Sequence, residues 1–216
     1  MIQHVYERAT TCPEFFKVYV ATDDERISDC VHGFAGKTVI TGEQHRSGTD
    51  RICEAALKIG LKKDDIVVNI QGDQPLFDPS HISQLVKPLV EDKSILMTTL
   101  KWKVTEENPI QSPKDVMVVT DTQDFAIYFS RSRIPFFRDS ESGEVYYKHL
   151  GLYGFRMEFL TQFTRLSEGV LEFTEKLEQL RALEYGFKIK VLETPFDSIE
   201  VDTHGDVERV EKILQE

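Results

Sequence analysis

The sequence predicts an α/β fold with a mostly parallel central sheet and helices on both of its faces. Strand-like and helix-like segments alternate through the first half of the chain, which is the pattern of consecutive βαβ units. Residues 66–71 form a nearly continuous apolar run, as expected for a strand buried on both faces of such a sheet. No internal repeat or linker interrupts the sequence, so we expect a single domain over residues 1–216.

The elements of the first half follow from local patterns. Apolar residues at helical spacing predict a first helix that begins at Met1 without a capping residue before it. Asp23 follows a run of β-forming residues and is a suitable N-cap for the next helix. The predicted strands are 16–22, 37–41 and 66–71, and the further predicted helices are 23–31, 49–59 and 79–90.

The second half is less regular, but strands and helices can still be assigned. The predicted strands are 95–104, 115–121, 125–130, 150–156 and 187–192, and the predicted helices are 160–166, 172–185 and 203–214. We expect the helix over 172–185 to be continuous, with Glu172 and Lys176 paired one turn apart. Thr203 is expected to cap the last helix, with Asp206 in its first turn.

Composition excludes several classes of function. The formal net charge is -11, so a phosphate backbone would be repelled, and we expect no nucleic-acid partner. No apolar stretch has the ~20 residues that a membrane span needs, and no secretion signal opens the chain. The three cysteines, Cys12, Cys30 and Cys53, show no metal-binding spacing. We expect reduced thiols in a cytoplasmic protein.

Asp73 stands in the segment with the clearest functional signal, Gln71-Gly72-Asp73-Gln74-Pro75, directly after the most apolar strand. Ligands of open α/β sheets bind beyond the carboxyl ends of strands, and a carboxylate there suits Mg²⁺. An ordinary turn between a strand and a helix would use the same residue types, so both interpretations stay open.

Asp202 lies just before the last predicted helix. It has a structural explanation near the start of that helix, and it also suits a two-carboxylate magnesium site together with Asp73. The sequence alone does not show that the two carboxylates meet.

The segment His45-Arg46-Ser47-Gly48-Thr49-Asp50-Arg51 leads into the helix predicted over 49–59. Free N–H groups at such a helix start favour anions or the acceptor atoms of a base. A capped helix with solvated arginines is the alternative.

A fourth group of polar residues is spread over the second half of the chain. Cationic and imidazole side chains there suit a substrate carboxylate, and the Tyr, Glu and Gln side chains suit sugar hydroxyls. Ordinary surface pairing explains any single member as well. The group consists of Arg131, Lys148, His149, Tyr153, Glu178 and Gln179.

Six segments together resemble the 3-deoxy-manno-octulosonate (Kdo) cytidylyltransferase family. They occur in the order seen in that family, and six ordered matches are far more specific than any one of them. The segments are HRSGTDR (45–51), VNIQGDQP (68–75), YFSRSRIP (128–135), YKHLGLYGFR (147–156), LEQLRALEYG (177–186) and VDTHGDVERV (201–210). The resemblance spans essentially the whole chain.

The resemblance implies a GT-A-like nucleotidyltransferase fold with a smaller antiparallel portion for dimerisation and sugar binding. It implies a homodimer that transfers CMP from CTP to the anomeric hydroxyl of Kdo, releasing pyrophosphate, for lipopolysaccharide biosynthesis. By the same resemblance, Asp73 and Asp202 match the Mg²⁺ positions. The matching nucleotide positions are His45, Arg46, Ser47, Gly48, Gln71 and Asp73, and the matching sugar-acid positions are Arg131, His149, Tyr153, Glu178 and Gln179.

The sequence departs from the family in three places. Gln74 stands where the family usually has Glu, and residues 136–139 replace a stretch that usually contains tryptophan. The family's opening strand and its loop PARxxSxRLPGKPL, which brings an Arg and a Lys to the triphosphate, are not among the 216 residues. We expect that strand's place to lie beside the strands 16–22 and 66–71, leaving strand edges and apolar surface open there.

Two alternatives remain from the sequence. The first is that the substrate is a related sugar acid, either amino-substituted or sialic-acid-like, because all of these acids carry the carboxylate. The absent phosphate loop is also compatible with a catalytically inactive, truncated homologue.

Overall fold

The computed structural model describes residues 1–105, 114–139, 143–201 and 203–215. The helices are α1 (Ile2–Thr10), α2 (Glu25–Gly33), α3 (Gly48–Lys58), α4 (Ser80–Glu91), α5 (Met157–Phe163), α6 (Val170–Glu175), α7 (Gln179–Glu184) and α8 (His204–Gln215). The strands are β1 (Val20–Thr22), β2 (Thr38–Ile40), β3 (Ile66–Asn69), β4 (Met97–Lys103), β5 (Met117–Thr120), β6 (Ala126–Ser130), β7 (Tyr147–Arg156) and β8 (Lys190–Thr194). The predicted α/β class is confirmed.

The main sheet is mixed, so the expectation of mostly parallel pairing is wrong in this detail. Its strand order is β6-β5-β7-β4-β8, and β3 also pairs with β7. Strands β3, β4 and β5 all run antiparallel to β7, whereas β4 and β8 pair in parallel. Because β7 has 10 residues, it pairs with β3 near its carboxyl end and with β5 near its amino end. Strands β3 and β4 still share a direction, as their connection through α4 requires.

Strands β1 and β2 form a separate two-stranded parallel sheet. A groove of about 420 Å³ lies between β1 and β3, lined by these strands and by apolar residues of α1 and α3. Within the described residues, β1 pairs only with β2 and β3 only with β7. This agrees with the expectation of open strand edges here. It also explains why Ile66, Val67 and Val68 are only half-buried, although we expected burial on both faces.

Two clusters of buried side chains pack on the opposite faces of the main sheet. Alternate residues of β7 supply them: Tyr153 and Phe155 belong to one cluster, and Leu150 and Leu152 to the other. This alternation is the ordinary consequence of the two-residue period of a strand. Helices α3, α5 and α7 pack on the first face, and α1 and α4 on the second.

The helix predicted over 172–185 is broken into α6 and α7. Lys176 adopts a left-handed backbone conformation (φ 54°) and ends α6. Glu172 pairs with the buried Arg181, at 2.5 Å, rather than with Lys176 as predicted. The Arg181 guanidinium also lies over the ring of Phe163, 4.8 Å from its centroid. The ion pair between α6 and α7 therefore replaces the predicted pair within one helix. The chain bends at Lys176, between the two helices.

The structure confirms one of the two predicted helix caps and moves the other by one residue. Asp24, not Asp23, caps α2 by accepting a hydrogen bond from the Arg26 amide. Asp23 instead binds Arg51 of α3, with 2.9 Å between oxygen and nitrogen. The cap of the last helix is confirmed, since the Asp206 amide donates to the Thr203 hydroxyl.

The state of the cysteines and the polarity of the helices agree with what the sequence predicts. All three thiols are free, with Cys12 and Cys53 buried and Cys30 exposed. Across the described parts of the chain, every helix is too short or too polar to cross a bilayer.

Candidate functional site

A cavity of about 680 Å³ opens beyond the carboxyl ends of β3 and β6. It gathers residues that are far apart in sequence, from the start of α3 to α8. Most of the predicted site residues line it: Arg46, Ser47, Gly48, Gln71, Asp73, Arg131, His149, Tyr153, Glu178 and Gln179. The cavity therefore lies beyond strand ends, where ligands of α/β sheets commonly bind, and it brings these predicted residues together.

The α3 wall of the cavity consists of Arg46, Ser47, Gly48 and Gln71. Ser47 caps α3, because its hydroxyl accepts a hydrogen bond from the Asp50 amide at 3.2 Å. A Cβ atom at Gly48 would lie 3.5 Å from the Gln71 side-chain oxygen, so glycine keeps this corner open. The free amides of the helix start favour an anion or an acceptor atom on this wall.

His45 is predicted to contact the nucleotide, but the structure does not bring it to the cavity. Its Nε2 atom contacts the Glu54 carboxylate on α3. That carboxylate also accepts the Gly42 amide at 3.1 Å and pairs with Lys58 at 2.7 Å. Hydrogen bonding to Lys58, Gly42 and His45 lowers the pKa of Glu54 to about 2. His45 therefore fixes the loop before α3, whereas Arg46 and Ser47 face the cavity.

Asp73 lies on the floor of the cavity, just after β3. Its backbone carbonyl accepts the amide of Val201 at 2.9 Å. Gln74, which is fully buried, donates through Nε2 to Glu200 at 2.9 Å. Asp202, the second predicted magnesium ligand, lies outside the described residues, but the segment that leads to it is held against Asp73.

The donor chemistry on this floor fits Mg²⁺ better than a transition metal. Among residues 1–105, 114–139, 143–201 and 203–215, no three His, Cys, Asp or Glu side chains are grouped to hold a metal ion. Mg²⁺ needs only one or two protein carboxylates, because phosphates and water complete its octahedral shell. Asp73 supplies one such carboxylate at a cavity lined by seven cationic side chains: Arg46, Lys114, Arg131, Lys148, Lys176, Arg181 and Arg209.

The β7 wall faces the α3 wall and consists of Arg131, His149, Tyr153, Glu178 and Gln179. His149 and Tyr153 point to the same side of β7, with ring centroids 5.5 Å apart. Burial lowers the pKa of His149 to about 3, so its imidazole is neutral near neutral pH. Burial raises the pKa of Tyr153 well above its usual range. Both rings therefore contribute neutral hydrogen-bonding groups, and the cationic charge on this wall comes from Arg131.

Arg131 is held in place by the end of α6. Its Nε atom donates to the Glu175 carbonyl at 2.7 Å, and Nη2 donates to the Lys176 carbonyl at 3.4 Å. Its backbone amide donates to the Glu175 carboxylate at 3.0 Å. The left-handed turn at Lys176 thus presents carbonyl oxygens that fix a guanidinium at the cavity edge.

Glu178 and Gln179 lie at the start of α7, not in the middle of a helix as predicted, because the chain breaks at Lys176. Glu178 accepts a hydrogen bond from the buried hydroxyl of Thr49, which joins the β7 wall to α3. Burial raises the pKa of Glu178, while Thr49 and Ser47 oppose that shift. The second oxygen of Glu178 and the Gln179 amide nitrogen are buried and have no hydrogen-bond partner in the part of the chain that the structure describes. Such groups are suited to binding ligand hydroxyls.

Three residues that support the candidate site were not predicted from the sequence. Thr49 was assigned only to the start of a helix, and its contact with Glu178 spans 129 positions in the chain. Glu54 carried one signal, its spacing of four from Lys58, but nothing in the sequence linked it to His45. Glu200 has no pattern in the sequence that points to Gln74, because their contact spans 126 positions in the chain.

Comparison with known proteins identifies the family. The family model described as cytidylyltransferase matches residues 1–190. The chain belongs to the cytidylyltransferase family. This agrees with the resemblance seen in the six sequence segments, and it assigns the cavity to a nucleotidyltransferase.

Individual relatives of this cytidylyltransferase are similar over nearly its full length. A 3-deoxy-manno-octulosonate cytidylyltransferase of Syntrophus aciditrophicus is 51% identical over 214 residues, covering 99% of this chain and 86% of the relative. An 8-amino-3,8-dideoxy-manno-octulosonate cytidylyltransferase of Shewanella sediminis is also 51% identical, covering 99% and 87%. A solved CMP:2-keto-3-deoxy-manno-octonic acid synthetase complexed with CTP has a TM-score of 0.91 at 37% identity, covering 99% and 87%.

Proposed function

We propose that this cytidylyltransferase transfers CMP from CTP to 3-deoxy-manno-octulosonate. The observation that carries the proposal is that the α3 wall, the β7 wall and Asp73 all line the same cavity. One wall suits a nucleotide, the other suits a sugar acid, and the carboxylate lies between them. Relatives about half identical to this chain carry the name of that activity.

The reaction makes one bond and breaks one. The anomeric hydroxyl oxygen of the sugar acid attacks the α-phosphorus of CTP in line, and the bond from that phosphorus to the bridging oxygen breaks. Pyrophosphate leaves, and the hydroxyl proton is released. Little of this chemistry is covalent catalysis, so the protein's task is positioning and charge compensation.

The residues of the two walls divide that task. The amides at the start of α3, with Arg46 and Gln71, receive the nucleotide. Arg131 binds the carboxylate of the sugar acid, because a fixed guanidinium matches a carboxylate in charge and geometry. His149, Tyr153 and Gln179 bind its hydroxyls as neutral donors and acceptors. Glu178 joins the two walls through Thr49, so that each substrate is held relative to the other.

Asp73, together with Asp202, would hold Mg²⁺ at the floor of the cavity. When bound, Mg²⁺ compensates the charge of phosphate oxygens, which is its usual contribution to phosphoryl transfer. Asp73 is fixed for this by the bond between its carbonyl and the Val201 amide. Arg46 on the α3 wall then shares the charge of the triphosphate.

A second candidate substrate is the 8-amino derivative of the same acid. It is favoured by relatives named for that substrate, which are 49–51% identical to this chain, as near as those named for the parent acid. Both acids carry the carboxylate, so Arg131 serves either of them. Their difference lies at the far end of the sugar.

We also place the active form as a homodimer in the cytoplasm. Large apolar side chains are exposed on two parts of the chain, the segment after β6 and helix α6: Phe136 is 88% exposed, Val170 76% and Phe173 60%. A second copy covering such residues would remove apolar area from water. Light scattering during size-exclusion chromatography tests this, and a monomer at assay concentration would contradict it.

The activity is tested by pyrophosphate release from CTP and Mg²⁺ with each of three acids: the parent octulosonate, its 8-amino derivative and a sialic acid. We expect release that requires both CTP and one of the two octulosonates. The ratio of kcat/KM values between these two acids decides the substrate. Absence of release from folded protein with every acid would overturn the proposal and favour the inactive alternative.

A further inference from the structure

Two hydrogen bonds connect the loop after β3 to the segment before α8. The Val201 amide donates to the Asp73 carbonyl at 2.9 Å, and the Gln74 side chain donates to the Glu200 carboxylate at 2.9 Å. Gln74 is fully buried, whereas Glu200 is exposed and lines the cavity. The two bonds come from adjacent residues on both segments, so they form one short bridge.

The orientation of the Gln74 amide is determined by its partner. Its nitrogen faces Glu200 as the donor, and turning the amide over would place its oxygen against a carboxylate oxygen. Among the described residues the buried Gln74 oxygen has no hydrogen-bond partner, so within this part of the chain the side chain acts only as a donor. The two bonded atoms, Glu200 Oε1 and Gln74 Nε2, lie over Gly151 of β7, at 3.5 and 3.6 Å from where its Cβ would be.

The bridge lies next to the carboxylate on which the proposed reaction depends. Gln74 follows Asp73 directly, so the hydrogen bond of its side chain to Glu200 restrains the chain beside Asp73. A change of about 1 Å in the position of a catalytic group can cost about 10²-fold in rate.

We propose that Gln74 and Glu200 are positioning residues, whose hydrogen bond fixes Asp73 against the segment before α8 in the absence of any ligand. This inference rests on the proposed function for the role of Asp73. The bridge itself is independent of that function, because it consists of contacts within the chain.

The test is a set of variants that separates the hydrogen bond from charge and from packing. Gln74→Met keeps the size of the side chain and removes its donor, and Glu200→Ala removes the acceptor. Glu200→Gln keeps an acceptor and removes the charge. Gln84→Met is the matched control, because Gln84 is half-buried on α4 and does not line the cavity.

The first readout is amide hydrogen exchange at Val201 in the protein without ligands. We expect Gln74→Met, Glu200→Ala and the double variant each to speed exchange by about tenfold, because the adjacent bond loses its support. Glu200→Gln and Gln84→Met should leave exchange within about twofold. Unchanged hydrogen exchange at Val201 in Gln74→Met would contradict the proposed positioning role. Additive effects of the two substitutions in the double variant would contradict it as well.

The second readout is turnover at saturating CTP and Mg²⁺. We expect kcat to fall by about tenfold in Gln74→Met and Glu200→Ala, with the KM for CTP changing by less than about threefold. Glu200→Gln should retain kcat, and a loss as large as that of Glu200→Ala would show that Glu200 acts through its charge, which contradicts the proposal. If the unmodified chain releases no pyrophosphate, the proposed function fails. The hydrogen-exchange measurement still shows whether the Gln74–Glu200 hydrogen bond holds the two segments together.

Discussion

The α3 wall draws on residues 46–48 and Gln71, whereas the β7 wall is assembled from β6, β7 and the start of α7. The first depends on local features, a capped helix start and a loop after a strand. The second depends on tertiary contacts, such as those between Arg131 and the end of α6. Substitutions in the β7 wall should therefore affect one substrate selectively, and contacts between the walls should affect both.

Asp73 lies between the walls, and its replacement should have the largest effect. We expect Asp73→Asn to lower kcat/KM by about 10³-fold, because the substitution removes the carboxylate charge on the cavity floor. The unfolding midpoint should stay the same, since asparagine has the same shape. Pyrophosphate release measures the rate, and near-normal turnover would remove Asp73 from the site.

Arg131 tests whether the β7 wall binds the acid alone. Loss of a fixed guanidinium from a carboxylate costs about 2–3 kcal/mol, so Arg131→Ala should raise the KM for the sugar acid by about 30- to 150-fold. The KM for CTP should change little. Arg133→Ala is the control, because Arg133 is exposed and does not line the cavity. An equal loss for both substrates would contradict the division of the walls.

His149, on the β7 wall, should make the free energy of unfolding depend on pH in the acid range. Its folded pKa, about 3, is below its unfolded value of about 6.5, so the unfolded chain binds an extra proton between these values. The stabilisation is complete above pH 6.5 and falls by about 1.4 kcal/mol for each pH unit below it, down to about pH 3. Urea unfolding across this range should show that slope, and His149→Asn should remove it. The same slope in both proteins would show that other groups cause it.

Thr49 tests the connection between the walls. Thr49→Val removes the hydroxyl that donates to Glu178 and should lower kcat/KM for both substrates by about five- to tenfold. Thr49→Ser keeps the hydroxyl and should stay within about twofold of the original protein. A fall in kcat/KM for CTP alone would show that Thr49 acts only on the α3 wall.

Glu54 should give the smallest effect, because it acts on the α3 wall from outside the cavity. Glu54→Gln weakens its contacts with His45 and Lys58, so the loop before α3 should loosen and the KM for CTP should rise by about threefold. Glu91→Gln, which disturbs an exposed pair with Lys87 on α4, is the control. A larger change in the KM for the sugar acid would contradict this placement.

The two walls also differ in how far the sequence could predict them. Ser47 and Asp73 could be predicted to lie at the cavity because a helix cap and a strand end are local patterns. The break at Lys176 was missed, because the Glu172–Arg181 pair that accompanies it is a contact between two helices. The antiparallel position of β7 in the sheet was missed as well, since strand direction is set by pairing across the chain and not by periodicity.

The most direct test of the two-wall account is a crystal structure of the Asp73→Asn variant with CTP and the sugar acid. The account predicts the nucleotide against Gly48 and Gln71, the acid's carboxylate within hydrogen-bonding distance of Arg131, and the α-phosphate above residue 73. Both ligands on one wall, or either ligand outside the cavity, would contradict it.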